Sequence, residues 1–181
     1  HDALPISAQP AIGTGQITDN DTLKSWVPAL TDVDALIAAD AATKTLEAAE
    51  DALFAVRAAY QMPIAVTVPG TVAAETAYPY TFEDALAFEN LGFFASLAGH
   101  GLVRKFRDAI EAGGGVQAIG QKMYEALRDG KKAEFALDII LAEGFDALTV
   151  PRYIAEGLEW LQDRLKKKQA EILPVAEVPA A

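Results

Sequence analysis

The sequence has no cysteine and only two histidines, His1 and His100, among 181 residues. Without thiols there are neither disulfides nor thiolate metal sites, and two histidines alone do not build a zinc centre. The lack of cysteine fits a reducing cytoplasm. No apolar run approaches the ~20 residues of a membrane span, and no signal peptide is visible. Positive charge is scarce: Lys and Arg number 15 against 26 Asp and Glu, for a formal charge of −11 and a pI near 4.5. So acidic a body argues against nonspecific phosphate binding by the surface as a whole. It leaves open a local site where cations mediate contact with nucleic acid. A Gly-rich phosphate loop, a Ser or Cys nucleophile motif and an internal repeat are all missing. So is an initiating Met, and His1–Ser7 differs in composition from the rest of the chain. Residues 1–13 therefore read as a non-native or loop leader, and the chain as a fragment.

What is present centres on residues 78–90, Tyr-Pro-Tyr-Thr-Phe-Glu-Asp-Ala-Leu-Ala-Phe-Glu-Asn. Pro79 stops the preceding chain and Thr81 opens a helix, with Asp84 three residues on completing a capping box. Phe82, Ala85, Leu86 and Phe93 recur at helical spacing, which predicts one buried face across residues 81–97. Glu83 then has two readings. A carboxylate in the first turn suits the positive end of a helix. Alternatively, the Thr81 hydroxyl and the Glu83 carboxylate share one hard cation, since both offer oxygen.

Before this helix the pattern is weaker. Asp21 or Thr22 caps a short helix running to Trp26, and a second starts at Thr31. The Asp32/Asp34 pair is explained by that helix start better than by metal binding. Leu53–Gln61 alternates enough for a strand, although helix competes over 44–59, and Ile64–Val68 makes a second strand before a Pro-Gly turn. Beyond residue 97 the chain is expected to be helical over 101–112, 116–127, 132–143 and from Pro151 onward. Phe135, Ala136, Ile139 and Ile140 are expected to point inward. Arg104, Lys105 and Arg107 form a basic patch that suits a solvated face. From Pro174 the Pro/Ala/Val tail, 174–181, is expected to be disordered.

Three segments, in order, resemble the C-terminal part of the OLD-family (overcoming lysogenization defect) nucleases. They are Val56–Ile64 leading into Tyr80–Asn90, then Lys132-Ala-Glu-Phe-Ala-Leu-Asp, then Val150-Pro-Arg-Tyr-Ile-Ala-Glu-Gly-Leu-Glu-Trp-Leu. The stretch Thr22-Leu-Lys-Ser-Trp-Val-Pro is similar to a linker inside the Toprim region of that family. The likeness covers most of residues 14–163. These are ATP-dependent endonucleases with an ATPase followed by a Toprim domain. The resemblance implies an α/β, helix-dominated fold: a partial Toprim-like domain over 14–173, with a short sheet and a C-terminal helical region. It also implies that Thr81 and Glu83, matching a Ser/Thr-x-Glu pattern, bind a divalent metal. Lys132, matching Lys-x-x-Phe-Ala, would be the catalytic or transition-state-stabilising lysine. The implied cofactors are two Mg²⁺ or Mn²⁺ ions, partly held by upstream residues, with ATP used only by the upstream ATPase. Implied partners are DNA and that ATPase domain, with a homodimer left open and no membrane.

The chain departs from the family pattern in lacking the first-strand Glu, the later acidic motif and the Walker motifs. A noncatalytic helical interaction module, whose Thr81–Asp84 box is only a cap, is the competing reading. A phage-like structural protein is a third, and it predicts self-assembly.

Overall fold

The computed structural model describes residues 11–47 and 54–172. Most of the expected leader and all of the expected disordered tail lie outside the described residues.

Two short helices come first, α1 (Asp21–Ser25) and α2 (Val33–Ala38). Their caps follow local chemistry: the side chains of Asn20 and Asp32 accept from Leu23 N and Ala35 N. The α1 cap is thus Asn20, one or two residues before the expected Asp21 or Thr22. Asp32 is a cap as expected of a helix start, and Asp34 accepts from Gly13 N at 2.9 Å. Leu23, Leu36 and Tyr60 make a small core here, with the Tyr60 hydroxyl donating to Leu36 O at 2.7 Å.

The strands form two separate antiparallel pairs. β1 (Thr45–Glu47) pairs with β2 (Ala55–Arg57), and β3 (Ile64–Thr67) pairs with β4 (Ala74–Ala77). The expected single short sheet over 53–68 is therefore corrected. Its two strands exist in shortened form, but each pairs with a neighbour instead of with the other. The turn at Val68-Pro-Gly-Thr folds β4 back onto β3. Thr71 N donates to Val68 O at 2.9 Å and Gly70 has φ 85°, which is the position that favours glycine in a Pro-Gly turn. Ile64 and Val66 point inward while Ala65 and Thr67 point out.

Helices make up the rest: α3 (Phe82–Glu89), α4 (Leu91–Ser96), α5 (Gly101–Ala112), α6 (Gly115–Arg128), α7 (Lys132–Ile140) and α8 (Arg152–Ile172). The β3–β4 hairpin and α3–α7 share one apolar core. Glu75 ties the hairpin to α6 by accepting from Val116 N at 3.2 Å, at the positive end of that helix.

The helix expected over 81–97 breaks at Asn90, whose ψ of 39° ends α3. The break changes the phase of the apolar stripe. Phe94, not Phe93, is fully buried, and Phe82 is 42% exposed. α7 is likewise shorter than expected: Phe135 and Ile139 are buried, while Ala136 and Ile140 are exposed. In α5 the expected face of Leu102, Phe106 and Ile110 is buried. Asn90 has a second use: its side chain clamps both Thr149 O and Thr149 N, and Glu89 accepts from Arg152 N. The end of α3 thereby fixes where α8 begins.

Candidate metal and phosphate site

Thr81 caps α3 through a complete box. Asp84 N donates to Thr81 Oγ1 at 3.4 Å, and Thr81 N donates to Asp84 Oδ1 at 2.6 Å. Tyr80 N adds a bond to Asp84 Oδ2 at 2.8 Å, and the Thr81 hydroxyl donates to Asp84 Oδ1 at 3.1 Å. Tyr80 also packs edge-on against Tyr124 of α6, with ring centroids 5.2 Å apart. The helix mouth is therefore held from both sides. Its residues are sealed from water, with Thr81 at 1%, Glu83 at 7% and Asp84 at 2% exposure. Burial pushes the Asp84 carboxyl up to about 6 from 3.8, against the lowering effect of its hydrogen bonds from Tyr80 and Thr81. The neighbouring Glu83 charge adds to the rise.

Lys132 comes to this mouth from the first turn of α7. That turn is anchored by Phe135, which stacks on Phe94 at 5.8 Å and meets Phe106 edge-on at 5.4 Å. Lys132 lies one turn earlier on the same edge, so anchoring Phe135 aims Lys132 toward α3. Its Nζ stands 3.3 Å from Glu83 Oε2. That is ion-pair distance without hydrogen-bond alignment, since Glu83 Oε2 has no hydrogen-bond partner. Lys131 takes a different direction: it pairs with Glu134 of its own helix at 2.7 Å, in water. That carboxylate raises the Lys131 pKa through a hydrogen bond and its charge.

Glu83 and Lys132 are thus brought together across a long interval of sequence, while the hydroxyl of neighbouring Thr81 is turned to Asp84. The two metal ligands implied by the resemblance differ in availability. Glu83 offers a buried oxygen with no hydrogen bond, a hard donor that suits Mg²⁺ or Mn²⁺. The Thr81 hydroxyl is already engaged with Asp84. Among the described residues no group of three or more Asp, Glu or His side chains is placed to hold a metal. The residues present therefore fit one firm ligand of a divalent ion, not a whole site.

Asp84 and Phe135 matter to this mouth more than the sequence disclosed. Asp84 was legible as a cap, but its burial was not. Nothing in the sequence pairs Tyr80 with Tyr124. The expected basic patch is a solvated face in part: Arg104 and Lys105 are exposed, while Arg107 donates to Leu97 O at 3.0 Å and pairs with Asp108 and Glu111. An open groove of about 410 Å³ between α5 and α6 is lined by Lys105, Lys122, Asp108 and Glu125. Its mixed charge favours no one ligand, and it lies apart from the Glu83–Lys132 pair. No helix among the described residues is long and apolar enough to cross a membrane.

No family model, curated protein or solved structure matches this chain.

Proposed function

We propose that this chain is the distal part of a metal-dependent DNA endonuclease of the Toprim, OLD-like kind, acting in the cytoplasm. An upstream ATPase and upstream carboxylates would complete it. One observation carries the reading: a buried carboxylate oxygen without a hydrogen bond, Glu83 Oε2, faces the ammonium of Lys132 at the mouth of α3. That sets a hard oxygen donor beside a cation, a combination that metal-assisted phosphodiester hydrolysis can use. Bound Mg²⁺ or Mn²⁺ would supply an activated water and support for the leaving oxygen. In this scheme Glu83 would hold the metal, the Thr81 hydroxyl would offer its remaining lone pair, and Lys132 would offset charge on the scissile phosphate.

The test uses a longer protein that includes the upstream carboxylates and ATPase. Glu83→Gln keeps side-chain shape and should remove most Mn²⁺-dependent DNA cleavage while ATP hydrolysis continues. Cleavage surviving at near wild-type rate would leave Glu83 as a first-turn carboxylate and nothing more.

A second reading rests on the Thr81–Asp84 box. Its four groups satisfy one another, so the mouth is a complete helix cap without any ligand. On that reading the chain is a noncatalytic helical interaction module, and the Glu83–Lys132 pair only docks α7 to α3.

A further inference from the structure

Helix α8 is the longest among the described residues, and only one stripe of it meets the body. Gly157 approaches Ala59 so closely that an added Cβ would lie 3.1 Å from the alanine's, and Arg164 pairs with Glu47 at 2.9 Å. Tyr153 and Glu156 border the same cleft against Lys44 and Arg57. On the adjoining flank stand Leu158, Leu161 and Leu165, at 59%, 47% and 61% exposure. Together with half-buried Ile154 they follow a four–three–four spacing, the seam of a two-stranded coiled coil. The sequence continues that register with Lys168 and Ile172.

A row of exposed leucines at coiled-coil spacing wants another helix against it. The charges of α8 indicate which helix and which direction. In its first half Glu156 and Glu159 outweigh Arg152, whereas in the second Arg164, Lys166, Lys167 and Lys168 outweigh Asp163 and Glu171. Two copies side by side in parallel would set lysines against lysines. Antiparallel, the acidic half of each meets the basic half of the other, and the helix dipoles oppose favourably. The layers then pair Leu161 with Leu165 of the second copy, twice, and Leu158 with the aliphatic stem of Lys168, whose ammonium pairs with Glu171 at the surface. We infer that α8 is a self-association surface, and that its occupant is α8 of a second copy in antiparallel register. The inference is independent of the nuclease reading and would stand if that reading failed.

The experiment is sedimentation equilibrium of the 181-residue chain over micromolar to millimolar concentration, at low and high salt. The expected result is a monomer–dimer equilibrium that weakens as salt rises. Leu161→Glu with Leu165→Glu should weaken dimerisation by about 100-fold or more, because four buried leucines are lost across the two copies. Those side chains are exposed in the monomer, so circular dichroism and melting temperature of the dilute chain should be unchanged. Lys166→Gln with Lys167→Gln reports direction. An antiparallel pair weakens severalfold, whereas a parallel pair tightens as repulsion is removed. A chain that stays monomeric throughout would overturn the inference, as would assembly beyond a dimer. A dimer indifferent to the leucine variant, or tightened by the lysine variant, would overturn it too.

Discussion

Lys132 and Lys131 are neighbours in sequence, yet their ammonium groups go to different helices. Lys131 pairs with Glu134 on its own α7, whereas Lys132 crosses to Glu83 on α3, 3.3 Å away. The difference is one of position on the helix, since Lys132 shares an edge with the anchored Phe135. The two partners also differ in setting, as Glu134 is in water and the Glu83 side chain is 9% exposed.

That contrast predicts unequal costs for the same mutation. Lys131→Ala removes an exposed, water-screened pair and should leave stability nearly unchanged. Lys132→Ala leaves a buried carboxylate without its counter-charge, and should cost about 1–3 kcal/mol. Urea midpoints of the two variants check this. Equal small costs would mean that the pair is screened by water after all.

Asp84→Ala should also destabilise, because the buried N–H of Thr81 and the part-buried N–H of Tyr80 lose their acceptor, at about 1–3 kcal/mol. The wild type should carry a pH signature that the variant lacks. Burial raises Asp84 to about 6 in the folded chain from 3.8, so between those values the folded state holds more protons than the unfolded one. The contribution of this group to stability therefore increases as pH falls through about 6, and levels off below the unfolded value. The gap in unfolding free energy between wild type and Asp84→Ala should widen from pH 7.5 to pH 4.5. A gap that narrows would mean that hydrogen bonding outweighs burial at Asp84.

Phe135→Leu tests how α7 is aimed. The smaller side chain loosens the stack on Phe94 and Phe106, at a cost of about 1–3 kcal/mol. If that stack positions Lys132, the coupling between Glu83 and Lys132 in a double-mutant cycle should shrink in the Phe135→Leu background. An unchanged coupling would assign the aim of Lys132 to its own side chain.

Much of the helical part was legible. The capping box at Thr81–Asp84 was visible because it is a local pattern, complete within four residues. The buried face of α5 was visible because Leu102, Phe106 and Ile110 keep one phase over twelve residues without interruption. Asn90 hid the true phase of the central segment. Its kink puts Phe94 in the core, and no local rule marks an Asn as a break when apolar residues continue on both sides. The strand pairing was hidden for a different reason. β1 and β4 are Thr-Leu-Glu and Ala-Glu-Thr-Ala, too short and too polar to stand out, and their partners make them strands. The site itself was half legible. Glu83 stood out at its helix start and Lys132 only through the resemblance, and the Phe94–Phe106–Phe135 cluster that brings them together is a tertiary event.

The chain by itself should neither hydrolyse ATP nor cut DNA efficiently. On the proposed reading its residues would supply one metal ligand and a lysine, while two-metal hydrolysis needs further carboxylates and ATP needs a phosphate loop. Supercoiled plasmid incubated with Mg²⁺ or Mn²⁺ should stay intact. Robust nicking by the purified chain would refute the proposal that half the site lies elsewhere.

The most direct test of the nuclease reading compares the two lysines in the longer, cleavage-competent protein. Lys132→Ala should slow DNA cleavage by about 10²-fold or more, the scale of losing one transition-state donor, while Lys131→Ala stays near the wild-type rate. ATP hydrolysis should persist in both. Equal and small effects on cleavage from the two substitutions would contradict the account, and would make Lys132 a structural partner of Glu83 alone.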